Sequence, residues 1–369
     1  MDFKNYLVPG KTGLLIGIGG VSMSPLAEVL HDAGLDIRGS DMAESSNTLT
    51  LRERGIPIHI GHSADNVTDD ISFVIRTAAV HDDNPEVHEA HRRGIPVFER
   101  TQAWGALMRG YQNALCISGT HGKTTTTSMC THIMMAAEKD PTVMIGGTLP
   151  LLKACHRVGK GNTIIMESCE YYNSFLALNP TIAVVLNIEA DHLDFFKDLE
   201  DIKHSFRCFA ERVPAEIGTV IANYDDANTM DALRGIARKV ITFGLNAKAD
   251  VYAQNIVHRG SVSEFDIYHR GNYFARVTLH VPGIHNVRNA LAATAATIVL
   301  GVSPNAVKYG LAGFEGAGRR FDFKGKFQGA DLYDDYAHHP SELRALLDAV
   351  DTLNYQRTIV AVSYTHLRA

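Results

Sequence analysis

The stretch Gly119-Thr120-His121-Gly122-Lys123-Thr124-Thr125 lies between an apolar run and a helix-like run that begins at Thr126. A glycine-bearing loop between a strand and a helix can bind phosphate through backbone N–H groups and the positive end of the helix dipole. Lys123 would add a positive charge near the terminal phosphates, and the Thr124 hydroxyl is placed to hold a magnesium ion. The full phosphate-loop pattern has a further glycine where this chain has Ile117. The stretch therefore predicts a nucleoside triphosphate site of a variant P-loop type.

Composition and charge exclude several classes of protein. The chain has 369 residues, of which 45% are hydrophobic and 21% charged, so it is long enough for two or three cores. The net charge is −6, and the basic residues are scattered among acidic ones, which argues against nucleic-acid binding. No apolar run reaches the roughly 18 residues of a membrane span, so we expect no membrane insertion. The five cysteines form no C-x-x-C pair, which favours a reducing compartment. These observations predict a cytoplasmic protein.

Apolar runs alternate with helical patterns along the chain, which is typical of α/β folds with parallel sheets. The region 251–279 instead alternates polar and apolar residues, which predicts antiparallel strands at one edge of a sheet. The glycine-rich stretch 313–318 predicts a linker. Together these patterns predict three domains, at 1–110, 111–315 and 316–369. The predicted strands lie at 14–16, around 37, and at 73–75, 95–98, 114–117, 163–166 and 182–186, and the predicted helices lie at 25–31, 85–93, 126–138 and 198–212.

A second glycine loop lies near the N-terminus. The pattern Gly17-x-Gly19-x-x-Ser22 follows a predicted strand and opens a predicted helix, and Asp41 follows about twenty residues later, where a dinucleotide fold places a ribose-binding acid. Serine replaces the third glycine of that pattern, so the loop either approaches a diphosphate or forms only a tight turn. A nicotinamide enzyme would need this loop but not the loop of Lys123. The presence of both loops indicates two nucleotides, one in each domain.

Acidic residues follow two strands downstream of Lys123. Glu167 ends one predicted strand with Glu170 close behind it, and the stretch 187–192 follows the next. Ligands of open α/β sheets bind at the carboxyl ends of the strands, so these side chains should lie beside the phosphate loop. Magnesium prefers carboxylate and phosphate oxygens. Glu167 is therefore a candidate metal ligand, whereas His192 is either a second ligand or a hydrogen-bonding loop residue.

Six motifs occur together in the order and at the separations that are found in the Mur ligase family, which this chain resembles from about Leu14 to about Val362. They are the phosphate loop at 119–124, Glu167, and the stretches 187–192, 283–290, 316–321 and 334–340. The first glycine loop with Met23, and the pair Ser40-Asp41, resemble the members of the family that act on UDP-N-acetylmuramate and L-alanine.

The resemblance implies an activity and a fold. The activity would be ATP-dependent formation of an amide bond between L-alanine and UDP-N-acetylmuramate through an acyl phosphate, a step of peptidoglycan biosynthesis. The fold would be α/β, with an N-terminal Rossmann-like domain that binds the UDP-sugar, a central P-loop α/β ATPase domain and a partial C-terminal Rossmann-like α/β domain. ATP would be the co-substrate and Mg²⁺ the cofactor. We expect a monomer or a weak homodimer.

The resemblance also assigns roles to single residues. Lys123, Glu167 and His192 would be catalytic, Thr124, Glu167 and His192 would hold metal, and His338 would face the amino acid. The residues that would bind the UDP-sugar are Gly17, Gly19, Gly20, Met23, Ser40 and Asp41. Those that would bind ATP are Gly119, Thr120, His121, Gly122, Lys123, Thr124, Thr125, Asn286, Asn289, Arg320 and Asp335. Alternatively, Arg319 and Arg320 are solvated linker charges, and the two asparagines cap the helix that continues through Ala290.

The end of the sequence departs from the family pattern. In the alanine ligases of the family the third domain continues well beyond the motif that corresponds to Asp334-Asp335-Tyr336. Here the apolar stretch 358–362 is followed by Ser363-Tyr364-Thr365-His366-Leu367-Arg368-Ala369. We interpret this end as a truncated third domain with a foreign tail after about Val362. We expect a chain that binds UDP-sugar, with ATP binding left open, and that ligates poorly or not at all.

Three alternatives stay open at the level of sequence. A ligase of the same family that recycles a murein tripeptide onto the same UDP-sugar has a similar N-terminus. A non-catalytic protein that binds UDP-sugar or ATP would keep both glycine loops. An NAD-dependent oxidoreductase is disfavoured, because Lys123 and its loop would then have no role.

Overall fold

The computed structural model describes residues 2–77, 79–353 and 355–362, so the predicted foreign tail at 363–369 lies outside the described residues. The described residues form two compact units. The first ends at Tyr111 and also includes Ala177–Asn179, and the second begins at Gln112 and holds the other described residues. The second unit thus contains both the predicted central domain and the segment 316–362. The division into three domains stays a prediction.

The first unit is built on a five-stranded parallel sheet. Its strands are β1 (Thr12–Ile16), β2 (Asp36–Asp41), β3 (Ile58–Ile60), β4 (Ile71–Arg76) and β5 (Val97–Glu99), and its helices are α1 (Ser24–Asp32), α2 (Ser46–Glu53), α3 (Pro85–Arg92) and α4 (Arg100–Met108). The strand order is β3-β2-β1-β4-β5, and every residue of the central strand β1 is buried. This is the Rossmann-like order, with a ligand crevice expected where the order reverses beside β1. The prediction of a Rossmann-like N-terminal fold is confirmed.

The second unit contains a ten-stranded sheet in the order β15-β14-β13-β12-β11-β10-β6-β9-β7-β8. Its strands are β6 (Asn113–Ser118), β7 (Thr142–Leu149), β8 (Ala154–Arg157), β9 (Thr163–Glu167), β10 (Ile182–Val185), β11 (Thr219–Asn223), β12 (Lys239–Gly244), β13 (Val251–Arg259), β14 (Val262–His269) and β15 (Asn272–Leu279). Its helices are α5 (Lys123–Ala136), α6 (Leu199–Glu211), α7 (Ala227–Ala232), α8 (Ile284–Val299) and α9 (Pro304–Ala312). The seven strands β13, β12, β11, β10, β6, β9 and β7 pair in parallel in that order. At one edge β13, β14 and β15 pair antiparallel, as the alternating sequence predicts, and at the other edge β8 pairs antiparallel with β7.

Beyond α9 the chain forms a hairpin and one helix. The elements are β16 (Asp322–Phe327), β17 (Ala330–Asp334) and α10 (Pro340–Asp351), and residues 358–362 have no regular secondary structure. The predicted linker at 313–318 is packed against the second unit. Phe314 is buried in its core, and the N–H of Gly318 donates to the carbonyl of Thr148 at 2.8 Å. Among the described residues, no helix combines the length and the hydrophobicity that crossing a membrane requires.

The close approach of α9 and α5 is possible because α9 has a glycine at the contact. A Cβ atom at Gly310 would lie 2.5 Å from the Cα atom of Ile133 and 2.7 Å from its nitrogen. Backbone atoms inside a helix cannot move aside as a flexible side chain can. The position therefore requires glycine although glycine disfavours helix formation.

We expect Gly310→Ala to destabilise the protein by about 1–2 kcal/mol, because the strain of overpacking exceeds the gain in helix propensity. Lys308→Ala, at an exposed position of the same helix, is the matched control and should leave stability nearly unchanged. Thermal unfolding of both variants measures the difference. Equal midpoints for the two variants would contradict the packing account.

Candidate active site

Three neighbouring strands bring the predicted catalytic residues to one edge of the sheet. β6 lies between β9 and β10 and runs parallel to both. Ile117 on β6 is paired with Glu167 on β9, and Ser118 is paired with Val185 on β10. The loops that follow these strands therefore start side by side. Ile117, which stands where the P-loop pattern has glycine, is a fully buried strand residue.

The phosphate loop connects β6 to α5 through two glycines with positive φ. Gly119 has φ of 143°, and a Cβ atom there would lie 2.8 Å from Cβ of Leu186. Gly122 has φ of 84° and forms the N-cap of α5, and a Cβ atom there would lie 2.6 Å from Oδ1 of Asn289. The helix begins at Lys123, three residues before the predicted start. Its first N–H groups are consequently placed at the loop, where helix N-termini bind phosphate.

Lys123 is largely buried, with 14% of its side chain exposed, and its ammonium group is held by four oxygen atoms. Nζ donates to the carbonyls of Gly119 at 2.6 Å and Thr120 at 3.1 Å, and to the carboxylate of Glu170 at 3.0 and 3.2 Å. Burial lowers the pKa of Lys123, but the charge and hydrogen bond of Glu170, together with the nearby Cys169 and Glu167, more than compensate and raise this pKa above its ordinary value. Lys123 is therefore charged, with a counterion in place before any phosphate arrives.

Thr124 and Glu167 meet beside Lys123. The Thr124 hydroxyl donates to Oε1 of Glu167 at 3.1 Å, and Oε2 accepts the N–H of Gly146 at 2.6 Å. A Cβ atom at Gly146 would lie 2.4 Å from Oε1, so this carboxylate lies directly against the backbone of β7. The pair offers oxygen ligands of the kind that Mg²⁺ prefers. These residues fit the predicted metal.

His192 lies on the other side of Glu170. Its Nε2 is 4.0 Å from Oε1 of Glu170 and 3.9 Å from Oδ2 of Asp191, and its ring stacks on Tyr171 with centroids 4.3 Å apart. Glu170 thus lies between Lys123 and His192. Its role as the shared carboxylate did not follow from the sequence, although its position after β9 placed it at this edge.

The amide group of Asn187 holds the phosphate loop in place. Its Oδ1 accepts the N–H of His121 at 2.8 Å, and its Nδ2 donates to the His121 carbonyl at 3.1 Å. The hydroxyl of Thr120 accepts the N–H of Glu189 at 2.9 Å. The loop after β10 and the phosphate loop are therefore joined by hydrogen bonds at consecutive residues. Asn187 was not among the predicted site residues.

A cavity of about 350 Å³ opens beside the phosphate loop, within the usual size range of small-molecule sites. The predicted ATP residues that line it are His121, Gly122, Thr125, Asn286, Asn289, Arg320 and Asp335. The two asparagines lie inside α8, and Gly283 is its N-cap, so the alternative that they cap this helix is wrong. Nδ2 of Asn289 donates to Oδ1 of Asn286 at 3.3 Å.

The segment after residue 316 contributes one wall of this cavity. Both carboxylate oxygens of Asp335 accept backbone N–H groups at 2.7 Å, from Phe321 and Ala337, and burial raises the pKa of Asp335. Arg320 lies 3.6 Å from Glu342, so it is paired and not a purely solvated charge. His338 is exposed, and its Nδ1 donates to the carbonyl of Tyr336 at 2.9 Å.

His121 joins the phosphate loop to α10. Its Nδ1 lies 3.2 Å from Oε1 of Glu342, and its Nε2 lies 3.0 Å from the Ser341 hydroxyl. Burial would raise the pKa of Glu342, but His121 and Arg320 together lower it to about 2. Burial would likewise lower the pKa of His121, but Glu342 and Glu189 together raise it instead. The contact between these two elements is therefore an ion pair when His121 is protonated.

In the first unit, the N-terminal glycine loop is shaped by Asp41 and the end of β2. The N–H of Gly17 donates to the Ser40 carbonyl at 2.8 Å, and the N–H of Gly19 donates to Oδ2 of Asp41 at 2.8 Å. A Cβ atom at Gly19 would lie 3.0 Å from that carboxylate, so close packing requires glycine there. Gly20 continues the turn by donating to the Gly17 carbonyl at 3.1 Å.

Two of the predicted UDP-sugar residues of this unit are fully buried. Met23 is part of the core at the start of α1. The Ser40 hydroxyl donates to Glu86 at 2.7 Å, and Glu86 also contacts Nδ1 of His62 at 2.8 Å and accepts from Asn66 at 2.6 Å. The sequence analysis did not identify this buried polar cluster. Ser40 and Met23 therefore contact the glycine loop from the protein interior, Ser40 through its carbonyl and Met23 beside Gly20.

Three family models match the sequence in order. They describe the catalytic domain of the Mur ligase family at residues 15–112, the Mur ligase middle domain at 117–297 and the Mur ligase glutamate ligase domain at 319–366. A UDP-N-acetylmuramate–L-alanine ligase of Agathobacter rectalis is 45% identical over 346 residues, which cover 94% of this chain and 75% of that protein. This chain belongs to the Mur ligase family.

Other relatives agree with this assignment. The enzyme of the same name from Caldicellulosiruptor saccharolyticus is 44% identical over 94% of this chain and 76% of its own length. The crystal structure of UDP-N-acetylmuramate-alanine ligase MurC from Thermotoga maritima matches with a TM-score of 0.77 at 31% identity and covers 93% of this chain and 78% of that one. A Neisseria meningitides ligase named for L-alanyl-γ-D-glutamyl-meso-diaminopimelate matches with a TM-score of 0.75 at 26% identity, over 84% of this chain and 100% of that one.

In this Mur ligase the residues predicted to act on ATP fall into two groups. One group consists of Lys123 and His192, which both face Glu170, together with the hydrogen-bonded pair of Thr124 and Glu167, and the other consists of the seven residues that line the cavity. The structure therefore brings the predicted ATP residues together in one unit. Their individual roles stay predictions.

We expect Asn187→Ala to weaken ATP binding about tenfold, because two hydrogen bonds to the phosphate loop are lost. Binding of the UDP-sugar to the first unit should not change. Asn272→Ala, at the exposed first residue of β15, is the control and should bind ATP normally. Calorimetric titration with ATP measures the effect. Normal ATP affinity in Asn187→Ala would contradict the role of this amide.

The contact between α10 and the phosphate loop should depend on pH. The pKa of Glu342 is depressed from 4.5, so its contribution to stability is present above that value and is lost as the pH falls towards about 2. The pKa of His121 is raised above 6.5, so its contribution is complete below 6.5 and is lost as the pH rises through the raised value. Hydrogen exchange of α10 amides, corrected for intrinsic rates, should therefore accelerate as the pH rises above neutrality. A His121→Ala variant should lose this dependence, and an unchanged dependence in it would refute the ion-pair account.

Proposed function

We propose that this chain is an ATP-dependent ligase that joins L-alanine to the carboxyl group of UDP-N-acetylmuramate in peptidoglycan biosynthesis. The curated relatives that match most of the chain carry the name of this activity. The observation that carries the proposal is the buried Lys123 ammonium beside the Thr124–Glu167 pair, at the end of a phosphate loop. That arrangement suits phosphoryl transfer. In an NAD-dependent oxidoreductase, by contrast, the phosphate loop and Lys123 would have no role.

The reaction moves one phosphoryl group and forms one amide bond. An oxygen of the muramoyl carboxylate attacks the γ-phosphorus of ATP, the bond to the bridging oxygen breaks, and ADP leaves with that electron pair. The L-alanine amine then attacks the acyl phosphate carbon, loses a proton and expels inorganic phosphate. Negative charge accumulates in both steps, so positioned positive charge and positioning of the reactants are the main sources of catalysis.

Lys123 supplies that charge from this chain. Its ammonium already has Glu170 and two carbonyls as partners, so an incoming phosphate would replace contacts and would not have to recruit a disordered lysine. The N–H groups at the start of α5 would bind phosphate oxygens beside it. Because Lys123 is buried, its attraction for phosphate is less screened than at a surface.

Thr124 and Glu167 are the residues that would hold Mg²⁺, and their oxygen donors fit this ion. When bound, the ion would neutralise charge on the phosphate oxygens. His192 reaches the same region through Glu170, which supports its assignment as a second ligand without requiring it. The glycine loop of the first unit, at residues 17–20, would bind the diphosphate of the UDP-sugar, with Asp41 fixing the loop.

The murein tripeptide ligase is the second candidate within the family, because structures of such ligases have a similar fold. The higher identity to the alanine ligases favours L-alanine. The cytoplasmic location and the monomeric or weakly dimeric state remain predictions from the sequence.

We expect release of ADP and phosphate that requires UDP-N-acetylmuramate and L-alanine together, which a coupled assay measures. Replacing L-alanine with the tripeptide should abolish it, and preference for the tripeptide would favour the recycling ligase. The same assay decides whether turnover is as weak as the sequence predicts. ATP and UDP-sugar binding without any turnover would indicate the non-catalytic alternative.

We expect Lys123→Ala to lower turnover by at least about 10²- to 10³-fold and to weaken ATP binding, because the charge beside the transferred phosphate is lost. Binding of UDP-N-acetylmuramate should stay unchanged. Lys139→Ala, at an exposed position just beyond the end of the same helix, is the matched control. Intact ligation in Lys123→Ala would overturn the role of this residue, and calorimetry with both nucleotides provides a readout independent of turnover.

A further inference from the structure

Three side chains from distant parts of the sequence meet beside the cavity, which two of them line, and we call them the His-Glu-His cluster. They are His121 of the phosphate loop, Glu189 of the loop after β10, and His339 at the N-cap of α10. Nε2 of His121 lies 3.4 Å from Oε2 of Glu189, and Nδ1 of His339 lies 3.8 Å from the same oxygen. The three ligand atoms all lie within 4.8 Å of one another.

Nε2 of His121 and Nδ1 of His339, which face the same oxygen of Glu189, both offer lone pairs when His121 is neutral. Nδ1 of His121 faces the Glu342 carboxylate, which can only accept, so the proton of the neutral ring is on Nδ1 and the lone pair is on Nε2. Nδ1 of His339 accepts the N–H of Ser341 at 3.4 Å, a contact that uses the tautomer with its lone pair on this nitrogen. The carboxylate of Glu189 adds a third acceptor.

The polar atoms between these groups do not satisfy all three. The N–H of Ser341 donates to Nδ1 of His339, and its hydroxyl, 2.7 Å from that nitrogen and 3.0 Å from Nε2 of His121, has a single proton, so Ser341 has no proton left for the carboxylate of Glu189. A cation shared by the three acceptors would remove the remaining repulsion. The space suits a metal, because bonds of about 2.0–2.2 Å place tetrahedral ligands about 3.3–3.6 Å apart.

We propose that His121 Nε2, Glu189 Oε2 and His339 Nδ1 form a binding site for a divalent transition-metal ion of the Zn²⁺ class. Two imidazoles and one carboxylate form a donor set that suits Zn²⁺, whereas Mg²⁺ prefers oxygen ligands. Three protein ligands leave a fourth position for water or another small ligand. The site is distinct from the predicted magnesium ligands Thr124, Glu167 and His192.

Glu342 would orient the ring of His121 in this site without binding the ion itself. A carboxylate that accepts from the far nitrogen of a ligating histidine fixes the tautomer and orients the ring. Glu342 also contacts Arg320 at 3.6 Å, so it is itself held in place. A bound ion would connect the phosphate loop, the loop after β10 and the start of α10.

The test is a calorimetric titration of this chain with Zn²⁺ after chelator treatment, at about pH 8 so that protons compete weakly. We expect one high-affinity equivalent per chain and a rise in the thermal midpoint. His339→Ala and Glu189→Gln should each weaken binding at least about tenfold, and Glu342→Gln should weaken it about 10- to 100-fold. The matched control is His258→Ala on β13, where the ring contacts Ser263, and it should bind like the wild type. Midpoints without metal show whether each variant folds.

A second pair could compete for the ion and is distinguished by spectroscopy. Nε2 of His204 lies 3.5 Å from the thiol of Cys208 on α6. Co²⁺ substitution should give a tetrahedral visible spectrum without a thiolate charge-transfer band. A thiolate band, unchanged binding in His339→Ala and Glu189→Gln, or no binding of Zn²⁺ by the wild type would each overturn the proposal.

Discussion

The register of three adjacent parallel strands determines where the reactive groups lie. β9, β6 and β10 are paired so that Glu167, Ile117 and Val184 lie side by side in neighbouring strands, and each strand is followed at once by a loop. Because side chains alternate between the two faces of a strand, a slip of one residue would move Glu167 away from Thr124. The buried apolar residues of these strands fix the register, so the core of the second unit indirectly positions the site. Ile117 belongs to that core, so this position of the loop is filled by a packed strand residue where the P-loop pattern has glycine.

The second constraint is electrostatic. A buried ammonium is unfavourable unless it is paired, and Lys123 is paired with Glu170 and two carbonyls. Phosphates that replace these partners would release Glu170 towards His192, which lies 4.0 Å away. The same principle applies between the phosphate loop and α10, where His121 and Glu342 shift each other's pKa in opposite directions. Both pairs use groups whose contacts a nucleotide or a proton can displace.

Much of this arrangement could be predicted from the sequence because it follows periodic signals. The strand ends predicted that Glu167 would meet Thr124, and the alternating pattern at 251–279 predicted the antiparallel edge. Helix α2 was missed because its capping box uses Thr48 in place of the acidic or amide residue that usually reveals one. The contact of Glu170 with Lys123 could not be predicted from the sequence. The chain that follows Glu170 has a left-handed backbone at Tyr172 and Asn173 and no periodic pattern. The His-Glu-His cluster joins residues far apart in the chain, and no local pattern relates them.

The most direct test of the account follows an oxygen atom. If the carboxylate of UDP-N-acetylmuramate attacks the γ-phosphate of ATP, that carboxylate must give one oxygen to the phosphate that is finally released. With ¹⁸O-labelled carboxylate and unlabelled water, mass spectrometry of the product should find one ¹⁸O atom in the inorganic phosphate and an amide between L-alanine and the muramoyl group. Unlabelled phosphate would mean that water attacks ATP, and the assignment of this site as a ligase centre would be contradicted.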